Sequence, residues 1–356
     1  MSDGLLVFDA ERLKSFVIRV FEACGSPNAE AFVVADHLIT ANLMGYDSHG
    51  VIRIPQYLED VQRGTSIPGS PVQIESETGT TAIVDCGWNF GPVGAFNAIN
   101  VAISKAKQHH TSVVVTRRCG HAGRLGAYTQ MAAEQGLFAF GVCNSPIHGH
   151  FVLPWGGRQG RLATNPMSFA VPCGRQYPIL ADFSTAESPE GKIRLFRNQG
   201  KPVPRGWIVN AKGEPTTNPA DFYGPPRGAI LPFGGEKGYR GFALSLMVEI
   251  LGGLLAGSRT TVDQPGNGLG FLVVDIAAFQ APDHFAALIE ELREYIKSSP
   301  PSESSDEVTL PGELDFKLGE RRLREGIPID DQTWNQIVKA AESVGVVWDC
   351  IQQSNS

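Results

Sequence analysis

Residues 80–144, TTAIVDCGWNFGPVGAFNAINVAISKAKQHHTSVVVTRRCGHAGRLGAYTQMAAEQGLFAFGVCN, alternate short β-branched runs with longer amphipathic ones. TTAIVDCG (80–87), TSVVVTRR (111–118) and LFAFGVCN (137–144) carry the residue types that suit a pleated, half-buried surface. FNAINVAISKAKQH (96–109) and RLGAYTQMAAEQG (124–136) read as helices between them. The alternation predicts an α/β region. SFAVPCG (168–174), YPILADFS (177–184) and FLVVDIAAF (271–279) are further predicted strands.

Upstream the texture is helical. Asp9 is placed to cap ERLKSFVIRVFEACG (11–25), Pro27 opens NAEAFVVADHLITANLMG (28–45), and IPQYLEDVQRG (54–64) follows the polar loop YDSHGV (46–51). Downstream, SSPPSESSDE (298–307) reads as a linker, followed by LGERRLREG (318–326) and a last helix, DQTWNQIVKAAESVG (331–345). The two terminal pieces share a texture, so residues 1–70 and 308–356 are expected to pack as one discontinuous helical domain. Residues 71–307 then form the α/β domain, with a Gly- and Pro-rich excursion over the surface at 188–230. The greasiest run, GFALSLMVEILGGLLA (241–256), carries Glu249 and is shorter than the roughly 20 apolar residues of a bilayer span. It predicts a buried helix.

The chain has 356 residues, 42% of them hydrophobic, with 30 Lys and Arg against 37 Asp and Glu and a net charge of −7. A disordered chain and a globally basic nucleic-acid binder are both excluded by that balance. The N-terminus lacks a basic segment followed by an apolar run, so no secretory signal is read there and a cytoplasmic location is expected, with no membrane or nucleic-acid partner. Six well-separated cysteines without a CxxC give neither a zinc motif nor a disulfide framework.

The usual nucleotide loops, GxGxxG and GxxxxGK[ST], are missing. Several weaker features are left. His49 lies in Asp47-Ser48-His49-Gly50 with Arg53 one helical turn later, a spacing that lets an imidazole and a guanidinium face one ligand or simply marks a solvated loop at a helix cap. His121 sits in a glycine turn, Gly120-His121-Ala122-Gly123-Arg124-Leu125-Gly126, that suits an anion or a tight structural turn alike. His148 and His150 lack a nearby acidic or cysteine partner for a metal, and His37 and His284 fit helix surfaces. Asp182-Phe183-Ser184-Thr185-Ala186 ends a strand where α/β sheets place ligands. Gly234–Gly238, with Lys237, precedes the greasy helix, and Pro311-Gly312-Glu313 could set a carboxylate on a sugar hydroxyl. Each of these last three is equally well read as a turn.

Six segments taken together change this picture: 47–64 (DSHGVIRIPQYLEDVQRG), 120–128 (GHAGRLGAY), 154–172 (PWGGRQGRLATNPMSFAVP), 179–194 (ILADFSTAESPEGKIR), 231–257 (LPFGGEKGYRGFALSLMVEILGGLLAG), and PGE (311–313) with RRLREGIPID (321–330). From about residue 8 onward the chain resembles the malate/L-lactate dehydrogenase 2 family, most nearly its hydroxycarboxylate dehydrogenase B branch. The resemblance implies an α/β, non-Rossmann nicotinamide-binding fold, a homodimer, NAD or NADP as cofactor, and a small 2-oxo or 2-hydroxy acid as substrate. By the same resemblance His49 is the proton donor with Ser48 beside it, Arg53 holds the substrate carboxylate, and His121 is the second active-site histidine. It further implies cofactor contacts from Leu180, Ala181, Asp182, Phe183, Ser184, Thr185 and Ala186, from Glu236 and Lys237, and from Gly312 and Glu313, with Asn165 supporting the nicotinamide pocket. No resident metal is implied. Reduction of a cyclic imine carboxylate is the alternative within oxidoreductases, and a metal-dependent hydrolase built on His121, His148 and His150 is a distant one.

Overall fold

The computed structural model describes residues 5–174, 177–258, 260–261 and 266–348. A seven-stranded sheet runs through the middle of the chain in the spatial order Gln73–Glu77, Thr81–Asp85, Thr111–Arg117, Gly268–Asp275, Leu137–Asn144, Met167–Val171, Ile179–Phe183. Neighbours are antiparallel except Thr81–Asp85 beside Thr111–Arg117, which are parallel and joined by the helix Gly91–His109. A parallel pair needs such a crossover, whereas the antiparallel pairs do not. The sheet is therefore mixed, and the α/β expectation holds for this region. Its core joins Val84, Ile99, Val114, Tyr128, Leu137 and Phe271 from strands and both covering helices.

The first helix, Ala10–Ala23, is capped by the Asp9 carboxylate, which accepts from Arg12 N at 2.9 Å. Leu13, Phe16, Val17, Val20 and Phe21 are fully buried along its inner stripe, each contributing about 1.5–3 kcal/mol of hydrophobic stabilisation. The second helix is Asn28–Leu43 and the third Ile54–Gln62. Ile327, Ile329, Trp334 and Ile337 from the C-terminal region enter the same core. A strand the sequence reading did not anticipate, Leu5–Phe8, pairs antiparallel with Ile327–Asp330 and ties the two ends of the chain together.

Two expectations need correction. Residues 188–230 are not a bare surface excursion: the helices Glu190–Asn198 and Pro219–Tyr223 and a small sheet of Ile208–Val209, Pro215–Thr216 and Ala229–Ile230 enclose a core of their own. Ile193, Ile208, Phe222 and Ile230 are fully buried there with Val152. Four apolar anchors spread through a turn-rich segment suffice to close a small cluster. The apolar run forms the helix Tyr239–Gly252, but only one side packs on the sheet; Leu246, Ile250, Leu254 and Leu255 are exposed in the single chain.

Candidate active site

The third-helix region is preceded by two short 3-10 turns, Asp47–His49 and Val51–Arg53, separated by Gly50 in an extended conformation. His49 and Arg53 are therefore not one turn apart on a single helix, as their spacing predicts. Gly50 breaks the helix because it passes against Asn42; a Cβ there would lie 2.1 Å from Asn42 Oδ1. Asn42 Oδ1 instead accepts from Val51 N at 2.8 Å, and its Nδ2 donates to Asp47 Oδ1 at 2.7 Å. Arg322, on the C-terminal helix Glu313–Glu325, grips Asp47 with both terminal nitrogens at 2.7 and 3.1 Å. The turn that carries His49 is thus fastened from both ends of the chain.

Arg53 still comes to His49 by another route. Its Nε donates to Ser48 O at 2.7 Å and its Nη1 to Gln56 Oε1 at 2.7 Å, while Ser48 Oγ lies 3.0 Å from His49 Nδ1. The His121 ring lies 5.8 Å from the His49 ring, with 18° between the planes. Tyr57, one turn beyond Arg53, places its hydroxyl 2.9 Å from His121 Nδ1 and donates to His121 O at 3.1 Å. Ser48, His49, Arg53 and His121 therefore meet in one place, and Tyr57 is an addition the sequence reading missed. Its position four residues after Arg53 was the available signal.

Charge and burial set the state of these groups. Burial, then the Arg53 and Arg124 charges, push His49 down to about 4, so it is neutral near pH 7 in the free protein. Burial, then Arg53 and His49, hold His121 well below the ordinary histidine range. Tyr57 is pushed up by burial and stays protonated.

The glycine turn is held by donors at alternate residues. Ala122 N donates to Asn267 Oδ1 (2.9 Å), Arg124 N to His37 Nε2 (2.9 Å) and Gly126 N to Asp182 Oδ2 (2.7 Å). His37 is thus buried on the inner side of its helix, not on a helix surface as expected, and burial holds it down to about 3. Gly123 has φ +75° and no room for a side chain: its Cβ would lie 2.1 Å from His37 Nε2. Arg124 is 1% exposed and stacks over Tyr46 at 4.8 Å, and among the described residues no hydrogen-bond partner meets any of its guanidinium nitrogens. Asp182, beside it, is pushed up by burial and pulled back by the Arg124 charge.

The segments expected to hold a cofactor gather around the edge strand Ile179–Phe183. Leu180 N donates to Pro311 O at 3.1 Å, and Gly312 packs on Leu180 so closely that its Cβ would lie 3.0 Å away. Thr185 Oγ1 donates to Asn165 O at 3.0 Å, and Ser184 Oγ to Thr164 O at 3.2 Å. Ala181 and Phe183 lie on the strand itself, paired opposite Phe169 and Met167, and Ala186 N donates to Ser184 Oγ at 2.9 Å. Glu187 Oε1 accepts from both Gly234 N and Gly235 N at 2.7 Å, bringing the turn Gly235–Lys237 alongside, with Lys237 exposed. The Glu236 side chain lies outside the described residues. Glu313 is buried with its carboxylate oxygens on Arg293 (3.3 Å) and Lys297 (2.7 Å). Among the described residues no three His, Cys, Asp or Glu side chains converge to hold a metal, so a hydrolase built on His121, His148 and His150 has no ligand set in this geometry.

Comparison with known proteins bears on the fold and the family. The sequence profile described as malate/L-lactate dehydrogenase matches residues 8–338. Hydroxycarboxylate dehydrogenase B of Escherichia coli (strain K12) is 35% identical, over 97% of this chain and 96% of that one. The structure of malate dehydrogenase from Pyrococcus horikoshii superposes with a TM-score of 0.87 at 32% identity, over 97% of both chains. Δ1-piperideine-2-carboxylate reductase from Pseudomonas syringae superposes with a TM-score of 0.81 at 27% identity, over 94% of this chain and 99% of that one. The fold, the ordered motifs and these matches lead to one conclusion: the chain belongs to the malate/L-lactate dehydrogenase family of oxidoreductases.

Proposed function

We propose that the protein reversibly transfers a hydride between a nicotinamide cofactor, NAD or NADP, and C2 of a 2-oxo/2-hydroxy carboxylic acid. The observation that carries this reading is the meeting of His49, Arg53 and His121 beside the edge strand Ile179–Phe183, through the Gly126–Asp182 bond. The cofactor, when bound, supplies or takes up the hydride at C4 of its nicotinamide ring. Two buried groups without partners among the described residues, the Arg124 guanidinium and Asn165 Oδ1, fit such an occupant, because orphaned polar groups are costly unless a ligand satisfies them. Leu180 to Ala186, Asn165, Glu236, Lys237, Gly312 and Glu313 would hold it. A mixed sheet without a GxGxxG turn supports a non-Rossmann mode of binding.

Arg53 offers its two terminal nitrogens to the substrate carboxylate in a fork, while Nε keeps its bond to Ser48 O. Burial is the larger cause of the low His49 value and remains; a carboxylate there offsets the second cause, the Arg53 charge, and so favours proton uptake by His49 as the oxo acid binds. It then donates that proton to the developing alkoxide, and in the oxidative direction the neutral ring accepts it. Ser48 Oγ at His49 Nδ1 fixes the ring so that Nε2 does the exchange. When its one hydroxyl proton goes to His121 Nδ1 in place of His121 O, Tyr57 leaves the His121 proton on Nε2, the donor needed to polarise the substrate carbonyl.

In this reading residues 1–70 and 308–356 act as one unit against the α/β region, supported by the shared core and the Leu5–Phe8 pairing. The exposed face of Leu246, Ile250, Leu254 and Leu255 supports a homodimer, and the setting is cytoplasmic with no nucleic-acid or membrane partner. The same His and Arg serve a cyclic imine carboxylate equally well, and the reductase from Pseudomonas syringae favours keeping that second reading. Absorbance at 340 nm with NADH and NADPH against a panel of 2-oxo acids and one cyclic imine decides between them. Turnover of oxo acids is expected; turnover of the imine alone would move the activity to the second reading, and silence throughout would refute both.

A further inference from the structure

Glu249 lies in the last turn of the apolar helix Tyr239–Gly252, yet it is 5% exposed, and among the described residues no cation pairs with it. Its two carboxylate oxygens each accept from a different amide: Oε1 from Asn144 Nδ2 at 3.2 Å, Oε2 from Asn165 Nδ2 at 2.9 Å. From each amide the bonding continues in one direction only.

On one side, Asn165 Nδ2 also reaches Ser245 O and Oγ at 3.1 and 3.2 Å. Turning this amide over would set its oxygen against the Glu249 carboxylate and the Ser245 carbonyl, so its direction is fixed by acceptors that cannot donate. The Asn165 Oδ1 is left over, buried and without a donor among the described residues, on a fully buried residue with φ +38°, against the Ser184–Ala186 segment that bonds its own carbonyl through Thr185. A strained backbone and an orphaned acceptor at one residue point to a ligand, not to packing.

On the other side, Asn144 Oδ1 accepts from Gly268 N at 2.8 Å and Asn144 O accepts from Asn267 Nδ2 at 2.7 Å. That turns Asn267 Oδ1 toward Ala122 N, which donates to it at 2.9 Å, one residue from His121. The carboxylate thus anchors one end of a chain of contacts that runs through the Asn144 side chain and backbone carbonyl to Asn267 and the His121 turn, while Gly268 N and Asn144 O fix which way the two amides face.

We propose that Glu249 is a positioning residue of the active site: it presents Asn165 Oδ1 as the acceptor for an N–H donor of the bound nicotinamide carboxamide, and it holds the His121 turn through Asn144 and Asn267. This rests on the dehydrogenase reading for its ligand and on the hydrogen-bond network alone for the turn. Glu249→Gln keeps the shape but puts an NH2 against one of two NH2 groups. Asn165→Asp puts a carboxylate against a carboxylate. The double variant restores one donor and one acceptor at both Glu249 contacts, because the amide introduced on the helix donates to the carboxylate introduced opposite it and its oxygen accepts from Asn144; only Ser245 O is left without its donor.

The test measures Kd for NADH and NADPH by fluorescence titration, and amide hydrogen exchange at Ala122 and Gly268, in the wild type, both single variants and the double. Each single variant is expected to weaken binding of the preferred nucleotide about tenfold or more, and Glu249→Gln to speed exchange at those two amides while exchange through the rest of the sheet is unchanged. The double variant is expected to bind more tightly than either single variant, short of wild type because Ser245 O has lost its donor. Single variants within twofold of wild type with unchanged exchange would overturn the proposal, as would a double variant worse than both singles. A merely structural role would speed exchange along the whole helix and sheet and give no rescue. Should Glu249→Gln fail to fold, tighter binding by the double variant than by Asn165→Asp supports the proposal and no recovery refutes it. If the wild type binds neither nucleotide, the dehydrogenase reading fails, and with it the ligand role given to Asn165; exchange at Ala122 and Gly268 still decides the role at the turn.

Discussion

The imidazole rings of His49 and His121 lie 5.8 Å apart and within 18° of parallel, although 72 residues separate them in the chain. The two are not equivalent. His49 is held by Ser48 and flanked by Arg53, whereas His121 is held by Tyr57 on both its ring and its backbone carbonyl. In the proposed reaction the rings have different duties: His49 exchanges a proton and His121 presents a donor.

His49→Ala is expected to lower kcat by at least roughly 100-fold, the range for loss of a general acid, with little change in the affinity for nicotinamide nucleotide. Steady-state kinetics alongside a fluorescence titration check both halves. A variant that keeps most of its kcat removes His49 from the role.

Binding of the 2-oxo acid should be accompanied by proton uptake near pH 6. The free-state value of about 4, set first by burial and then by Arg53, leaves His49 neutral there, and a carboxylate on Arg53 offsets the second of these causes. Calorimetry in two buffers of different ionisation enthalpy reads the number of protons directly. Arg53→Lys, which keeps a charge but loses the fork and the bond to Ser48 O, is expected to raise KM about tenfold or more. Heats that do not depend on the buffer would show that His49 does not change state on binding.

Acid should destabilise the free protein earlier than its carboxylates require. His37 and His49 titrate at about 3 and 4 in the fold and near 6.5 when unfolded. The unfolded chain therefore binds more protons between those values, and stability falls as pH drops from about 6.5 toward 4. Thermal unfolding across that window should show the fall. It should be shallower in His37→Gln, whose amide oxygen can still accept from Arg124 N; equal slopes would remove His37 as a contributor.

Gly123→Ala should destabilise the fold by about 2 kcal/mol or more, from the left-handed backbone and the clash with His37 together. Urea unfolding measures it. Gly136→Ala provides the comparison, because it shares a positive φ of +79° but meets nothing within 4 Å. A similar loss in both variants would assign the whole effect to the backbone.

Local signals decided much of this protein. The period of β-branched and amphipathic runs gave the strands and helices of residues 80–144, the Asp9 cap and Gly25 bounded the first helix, and the six ordered motifs carried the family. Side-chain type raised His49, Arg53 and His121 as candidates beside plainer readings, and only the family resemblance singled them out together with Ser48. What sequence spacing could not decide was direction and partnership. Gly50 breaks the turn between His49 and Arg53 because Asn42 occupies the space, and Asn42 lies on the preceding helix. His37 is buried because the glycine turn, 87 residues away, donates to it. The 188–230 segment closes on its own core because Val152 and Ile230 meet across 78 residues. Hydrogen bonds depend on angle and on which atom faces which, and burial depends on what packs from elsewhere in the chain. Tyr57, Arg124 and Glu249 therefore acquire their neighbours only when distant segments come together in the folded molecule.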